Sequence, residues 1–304
     1  MSLIKEFAIE PKVIAAWRHF QLLWNDFGVA EGRLISRFPK SWNREVYELA
    51  QKLNSNQPVR ATAICERIRQ GATKIIPSRR EFDPQASWLA NATRQMKVKP
   101  FHAIVAEENS NGHSSVLVAE ELDREHPLYR VETDCKVPRT AESLAQSAEL
   151  VLSVCEEIQL VDPHFDVFKS RFRETFAEIL SVRRAAPQRL RVCEIHIRKP
   201  ADFVRKAQEA LFRQYFQTAL PAGATLRVHF WSERAGGEKL HPRFLLTEFG
   251  GLKFDYGLDE GEGPNDTTWV MLMDQGMWET VRRDYSRPSP SFELGQDCLV
   301  EIQG

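Results

Sequence analysis

The chain has 304 residues, 42% of them hydrophobic and 27% charged, with 41 basic against 42 acidic side chains. There is enough apolar surface to build a core, which excludes a chain disordered over most of its length, and near-neutrality excludes a protein that coats nucleic acid by charge alone. At about 150 residues per domain, the length implies two domains.

In chain order, Val13–Phe27 carries apolar side chains near a 3.6-residue period (Val13, Ala16, Trp17, Phe20, Leu23, Trp24 and Phe27), which predicts a helix whose aromatic stripe faces a core. Ser41–Leu53 and Ala61–Arg69 predict further helices, and a polar stretch containing Pro77, Arg79, Arg80 and Pro84 then interrupts the pattern. The runs Phe101–Ala106 and Ser115–Ala119 flank a turn signal, Asn109 to Gly112, and predict a hairpin. Residues 1–135 thus read as a mainly helical α+β domain of no recognised family.

From Thr140 the chain alternates. A capped helix through Cys155 precedes a strand at Ile158–Asp162, a helix at Phe165–Leu180, a strand at Leu190–Ile197, a helix at Ala201–Leu220 and a strand at Thr225–Trp231. Strands joined through helices pair in parallel, because a parallel crossover needs a helix-length connection. Arg243–Glu248 and Leu252–Tyr256 follow as a hairpin across Gly250-Gly251. Residues 140–304 therefore read as an α/β domain, a mixed sheet with helices on both faces.

No window approaches the ~18 uncharged apolar residues of a membrane span, and the opening residues lack the apolar core of a secretion signal, so a cytoplasmic location without membrane insertion is expected. The five cysteines are scattered and never in a Cys-x-x-Cys pair, which implies free thiols. Charge is segregated along the chain: Lys40–Pro100 has 12 basic and 5 acidic residues, Phe101–Leu160 has 4 and 12, and residues 161–215 have 12 and 7. Such a pattern suits a localised phosphate site and docking between the halves.

The sharpest constellation is His241-Pro242-Arg243 through Glu248, opening a strand after the loop Glu233–Leu240. Alternate strand residues face the same way, so His241 and Arg243 would project together. An imidazole can attack phosphorus or carry a proton, and a guanidinium forks onto two phosphate oxygens. His196-Ile197-Arg198-Lys199 ends the second parallel strand and His164 follows the first, so both would gather outside the carboxyl ends of the sheet. No nucleotide loop, nucleophile elbow, zinc helix or EF-hand spacing occurs, so no cofactor and no metal is expected, and the acidic run Asp255, Asp259, Glu260, Glu262 and Asp266 reads as a solvated loop.

His241-x-Arg243-x4-Glu248 resembles the His-x-Lys-x4-Asp signature of the phospholipase D superfamily. Within it, residues 140–304 look most like the phospholipase D-like domain that follows microtubule-interacting and transport modules, and its bacterial relatives. The likeness rests on Asp162-Pro163-His164-Phe165, on Phe172 and Phe176, on Leu240-His241-Pro242-Arg243, and on Gly257-Leu258-Asp259. The chain lacks the Gly-Ser-x-Asn stretch that follows the signature in catalytic members. The resemblance implies a phospholipase D-like fold with His241, Arg243, Glu248 and His196 in the catalytic positions and Arg243, Arg198, Lys199 and Lys253 holding phosphate. It further implies a catalytically degenerate module that recognises a phosphodiester inside a larger assembly of the kind found in phage conflict. Nucleic acid is expected rather than lipid because no amphipathic insertion helix or lipidation motif occurs, while basic stretches carry aromatics, Trp42 beside Arg44 and Trp88 near Arg79 and Arg80.

Two alternatives remain open. One is a metal-independent nuclease or phosphodiesterase with His241 as nucleophile, assembled as a homodimer because a single signature supplies half a site. The other is a platform for protein partners.

Overall fold

A computed structural model describes residues 2–184 and 190–304. The chain divides into two compact units, one comprising Ile4–Glu132 and the other Thr133–Gly304 with the short stretch before Ile4. No helix among the described residues is long and apolar enough to cross a membrane.

The first unit is built on five parallel strands, β1 (Lys5–Ile9), β2 (Arg33–Arg37), β3 (Ile75–Pro77), β4 (Ala103–Ala106) and β5 (Val116–Val118), in the order β3-β2-β1-β4-β5. Helices α1 (Pro11–Ala15), α2 (Trp17–Leu23), α3 (Trp42–Leu53), α4 (Pro58–Gln70) and α5 (Trp88–Gln95) complete it. The class is α/β, with more sheet than the reading of a mainly helical domain allows. β1 to β3 are only three to five residues long and fully buried strands carry no alternation, so no period of two was visible. The expected hairpin is corrected as well. β4 and β5 pair in parallel, so Asn109–Gly112 turns the chain within a parallel connection. The helix expected over Val13–Phe27 breaks at Ala16, which is extended; its aromatic stripe does enter the core, with Phe20 stacked on Trp24 at 5.3 Å.

The second unit is an eight-stranded mixed sheet. Its strands are β6 (Asp134–Pro138), β7 (Glu157–Val161), β8 (Val192–Arg198), β9 (Thr225–Glu233), β10 (Arg243–Thr247), β11 (Gly251–Phe254), β12 (Thr267–Leu272) and β13 (Phe292–Gln303), in the order β13-β9-β8-β7-β10-β11-β12-β6. Helices α6 (Ala141–Ser147), α7 (Glu149–Val154), α8 (Ser170–Arg184), α9 (Arg205–Phe216) and α10 (Gln275–Asp284) accompany it. β7, β8 and β9 are parallel, β10 runs against β7, and β10 and β11 form the expected hairpin. Residues 136–139, which the sequence reading leaves between domains, enter the sheet through β6 on β12.

Thr140 caps α6 by accepting the Ser143 N–H at 3.2 Å. α8 and α9 carry Phe172, Phe176, Phe212 and Phe216, whose rings meet one another and Phe165 at 4.9–6.5 Å. Each fully buried ring contributes roughly 1.5–3 kcal/mol, and together they fix the β7–α8 turn that carries Asp162 and His164. Around α10, Val161, Trp231, Phe244, Leu246, Val281, Tyr285 and Phe292 form a second core.

Candidate phosphate-binding site

Asp162 and His164 leave the carboxyl end of β7, Arg198 ends β8, and His241 and Arg243 approach β10 from the loop beside them. β10 is antiparallel to β7, with Phe244 opposite Val161, so its beginning lies at the end where β7 to β9 finish. Connections leave room for a ligand there. A cleft of about 450 Å³ results, with Asp162, His164, Lys169, Arg243 and Tyr256 among its walls.

Buried Asp162 anchors this end. Its Oδ1 accepts the N–H of His164 at 2.9 Å and its Oδ2 the N–H of Leu258 at 3.3 Å, tying β7 to the Gly257-Leu258-Asp259 turn. Gly257 has φ +115, a conformation L side chains avoid, and a Cβ there would stand 2.7 Å from Asp259 Oδ1. Asp259 is also buried, contrary to a solvated loop. Its Oδ1 accepts from Arg139 at 2.7 Å, Arg171 Nε stands 3.2 Å from Oδ2, and Arg171 reaches Glu262 at 2.7 Å. The acidic run is thus partly a clasp that closes the floor of the cleft.

These ion pairs occupy Arg139 and Arg171 but leave Arg243. Among the described residues no carboxylate stands within 4 Å of its guanidinium; its buried Nε has no partner, and Nη1 reaches only the Asp255 carbonyl at 3.5 Å. The His164 and His241 rings stand edge to face with centroids 6.1 Å apart. Burial, then the charges of Arg243 and Arg198, lowers the pKa of His164, which is therefore uncharged at neutral pH. Arg198 holds the loop before His241, donating to the Leu240 carbonyl at 2.6 Å and pairing with Glu233 at 2.9 Å. The cleft wall therefore carries Arg243 and the His164 imidazole, with the exposed His241 ring against His164, alongside the carboxylates of Asp162, Asp259, Glu262 and Asp266.

Burial pushes Asp162 up to about 6, against the N–H bonds of His164 and Leu258, which pull it down. In the unfolded chain its pKa is near 3.8, so the fold favours the neutral acid. Below that value both states are protonated and Asp162 costs nothing. Between it and about 6 the unfolded chain alone releases the proton, so stability falls as pH rises, by on the order of 3 kcal/mol, and the loss is complete above. Asp162→Asn is expected to gain stability relative to wild type across that window and hold the gain above it, read as denaturation midpoints from pH 4 to 8; parallel curves would contradict this.

Four of the sequence-derived assignments need correction. His196 does not join His241: it is wholly buried under α10, between Gln159, Trp231, His229 and Tyr285, where no phosphate reaches it. Glu248 follows the far end of β10, where its carboxylate accepts the N–H groups of Glu156 and Glu157 at 2.7 and 3.3 Å. At about 3.3 Å per residue this is roughly 20 Å from His241. Lys253 pairs with Phe244, so it stands on the sheet face opposite Arg243 and outside the cleft. Lys199 is exposed at the end of β8 and lines a separate groove. The histidine that stands beside His241 is His164, which the sequence reading places at this end of the sheet without assigning it to the site.

Glu194, His196 and His229 place three potential metal-ligating atoms within 4.8 Å of one another, but their chemistry does not fit a metal. The Trp231 indole N–H donates to His196 Nδ1 at 2.9 Å. A neutral ring then carries its proton on Nε2, the atom facing Glu194 at 3.5 Å. The two imidazoles also stack 4.5 Å apart with planes 4° from parallel, so no ion lies in both ring planes. Burial lowers His196 to about 4, which keeps it neutral, whereas the His196 and His229 rings, 3.5 and 3.4 Å from its carboxylate, outweigh burial and hold Glu194 below the usual carboxylate range. This cluster is structural. His196→Ala should cost on the order of 2–4 kcal/mol by opening a cavity and orphaning the indole N–H, while phosphodiester affinity changes less than twofold; paired denaturation and binding titrations check both.

No family model matches the chain, and no curated protein matches it. Among solved structures it is similar to TrmBL2, an archaeal chromatin protein whose structure is described as showing a novel mode of DNA binding, at 15% identity and a TM-score of 0.29 over 58% of this chain. The match spans 59% of that protein, and a likeness this weak carries no argument about fold or ligand.

Proposed function

We propose that the cleft at the carboxyl ends of β7 and β8 recognises a phosphodiester of nucleic acid, with Arg243 as its principal phosphate ligand and His241, His164 and Arg198 around it. The observation that carries this reading is the guanidinium of Arg243, whose buried Nε has no partner and which has no carboxylate within 4 Å, Asp162 acting on it only at longer range. A partly buried cation without a direct ion pair is costly unless an anion completes it. Nucleic acid is favoured over a lipid headgroup by the cleft's rim. Tyr256 lines it at 62% exposure, and a solvent-facing ring beside phosphate-binding cations suits base stacking.

A second reading, phosphodiester cleavage, is favoured by the approach of His164 to His241. His241 would attack phosphorus, forming a P–N bond as the P–O bond to the leaving oxygen breaks. That oxygen would take a proton from His164, and water would then hydrolyse the phosphohistidine. The lowered pKa of His164 leaves it without that proton in the free protein, which ranks binding above cleavage. Incubation of single-stranded DNA in EDTA with wild type and His241→Ala separates the readings. Binding without cleavage supports recognition alone; cleavage lost in the variant establishes the enzyme; absence of both sinks the proposal.

A further inference from the structure

A second groove, of about 510 Å³, opens at the same end of the sheet, with Lys199, Ser232, Arg234, Arg287 and Glu293 among its walls. Register places it along the same line of strand ends: Arg198 pairs with Trp231 on β9, and Trp231 with Leu294 on β13. That row shares the face of Phe244 and α10, opposite the Arg243 cleft, so a ligand that joins the two grooves passes over the strand ends. At about 4.8 Å between strands, Arg243 and the end of β9 are roughly 14 Å apart. That exceeds a single phosphodiester and falls well short of a duplex turn of ~34 Å.

The charge in this groove is largely uncommitted. Lys199 rests over the Phe203 ring at 5.4 Å, and among the described residues neither it nor exposed Arg287 has a carboxylate within 4 Å. Arg234 is held by Glu293 at 3.4 Å and by the carbonyls of Ser289 and Phe292. The one acid in the wall is therefore matched, and two cations remain in excess. Arg198 stands between the two grooves, and its pairing with Glu233 and the Leu240 carbonyl fixes the loop that separates them.

We infer that the ligand is a polymer: a single strand of nucleic acid whose backbone runs from the Arg243 cleft, with a base against Tyr256, past Arg198 into the Lys199–Arg287 groove. This rests on the proposed function and extends it, since a lone phosphodiester or a lipid headgroup would engage the first cleft and leave the second empty. Affinity must then depend on strand length, and the second groove must matter only to strands long enough to reach it.

Fluorescein-labelled oligo(dT) of ~2, ~4 and ~8 nucleotides, within the site sizes usual for single-strand binders, tests this by anisotropy against wild type, Arg287→Glu and Lys199→Glu/Arg287→Glu. Both side chains are exposed, and thermal unfolding confirms that the variants fold. The expected result is affinity rising at least tenfold from the shortest to the longest strand, with the double variant losing that gain and binding the shortest strand within twofold of wild type. Equal wild-type affinity at all lengths, or an unchanged longest-strand affinity in the double variant, overturns the polymer track and leaves the phosphodiester site standing. Failure of wild type to bind any length overturns both.

Discussion

Asp259→Ala is expected to lower the melting temperature of the second unit by roughly 6–12 °C. The carboxylate receives Arg139 at 2.7 Å and Arg171 at 3.2 Å, with Asp259 and Arg139 both largely buried. Removing one member of such a cluster costs about 3 kcal/mol, because Arg139 stays behind without a counter-charge and Arg171 keeps only the exposed Glu262. At 2–4 °C per kcal/mol for a unit of this size, the stated range follows. Asp259→Asn retains shape and one acceptor but not the charge, and should recover less than half of the loss. Differential scanning calorimetry decides it; a shift below about 2 °C in the alanine variant would show that the clasp contributes little.

Arg243→Ala should weaken binding of single-stranded DNA by 10- to 100-fold, or about 1.5–3 kcal/mol, the scale of a charge-assisted hydrogen bond to an anion. Stability should hold or rise slightly, since the guanidinium has no carboxylate partner to lose. Arg243→Lys keeps the charge but not the fork, and its affinity should fall between the two. A variant that melts early and binds normally would make Arg243 structural.

Much of the second unit was legible because its elements are long and regularly spaced. The parallel β7–β8–β9 run and the β10–β11 hairpin follow from helix-length connections and from Gly250-Gly251. The first unit was less so: three- to five-residue buried strands have neither alternation nor length to separate them from helix. Within the site, His241 and Arg243 were legible from their spacing, and Arg198 from its place at a strand end. His196 was misplaced because spacing gives the end of a strand but not its face; its side chain belongs to the row of Phe244, Val161 and His229, which α10 covers. Asp162 was visible in the motif, yet its role depends on the N–H of Leu258, 96 residues away. Arg139 and Arg171 come from a segment before α6 and from α8, and only the fold brings them to Asp259.

Asp162 also links the site to pH. Its carboxyl is pushed up to about 6, and an anion bound at Arg243 would oppose its ionisation further. Phosphodiester affinity should therefore fall as pH rises through that range, in the same direction as loss of any proton that the bound phosphate induces on His164.

The most direct test is the salt dependence of single-stranded DNA binding by wild type and Arg243→Ala. Each phosphate contact contributes about −0.7 to the slope of log K against log salt. Wild type should show a clearly negative slope, and the variant should bind more weakly with a slope shallower by about one contact. Salt-independent binding by wild type, or a variant with wild-type affinity and slope, would contradict phosphate recognition at this cleft.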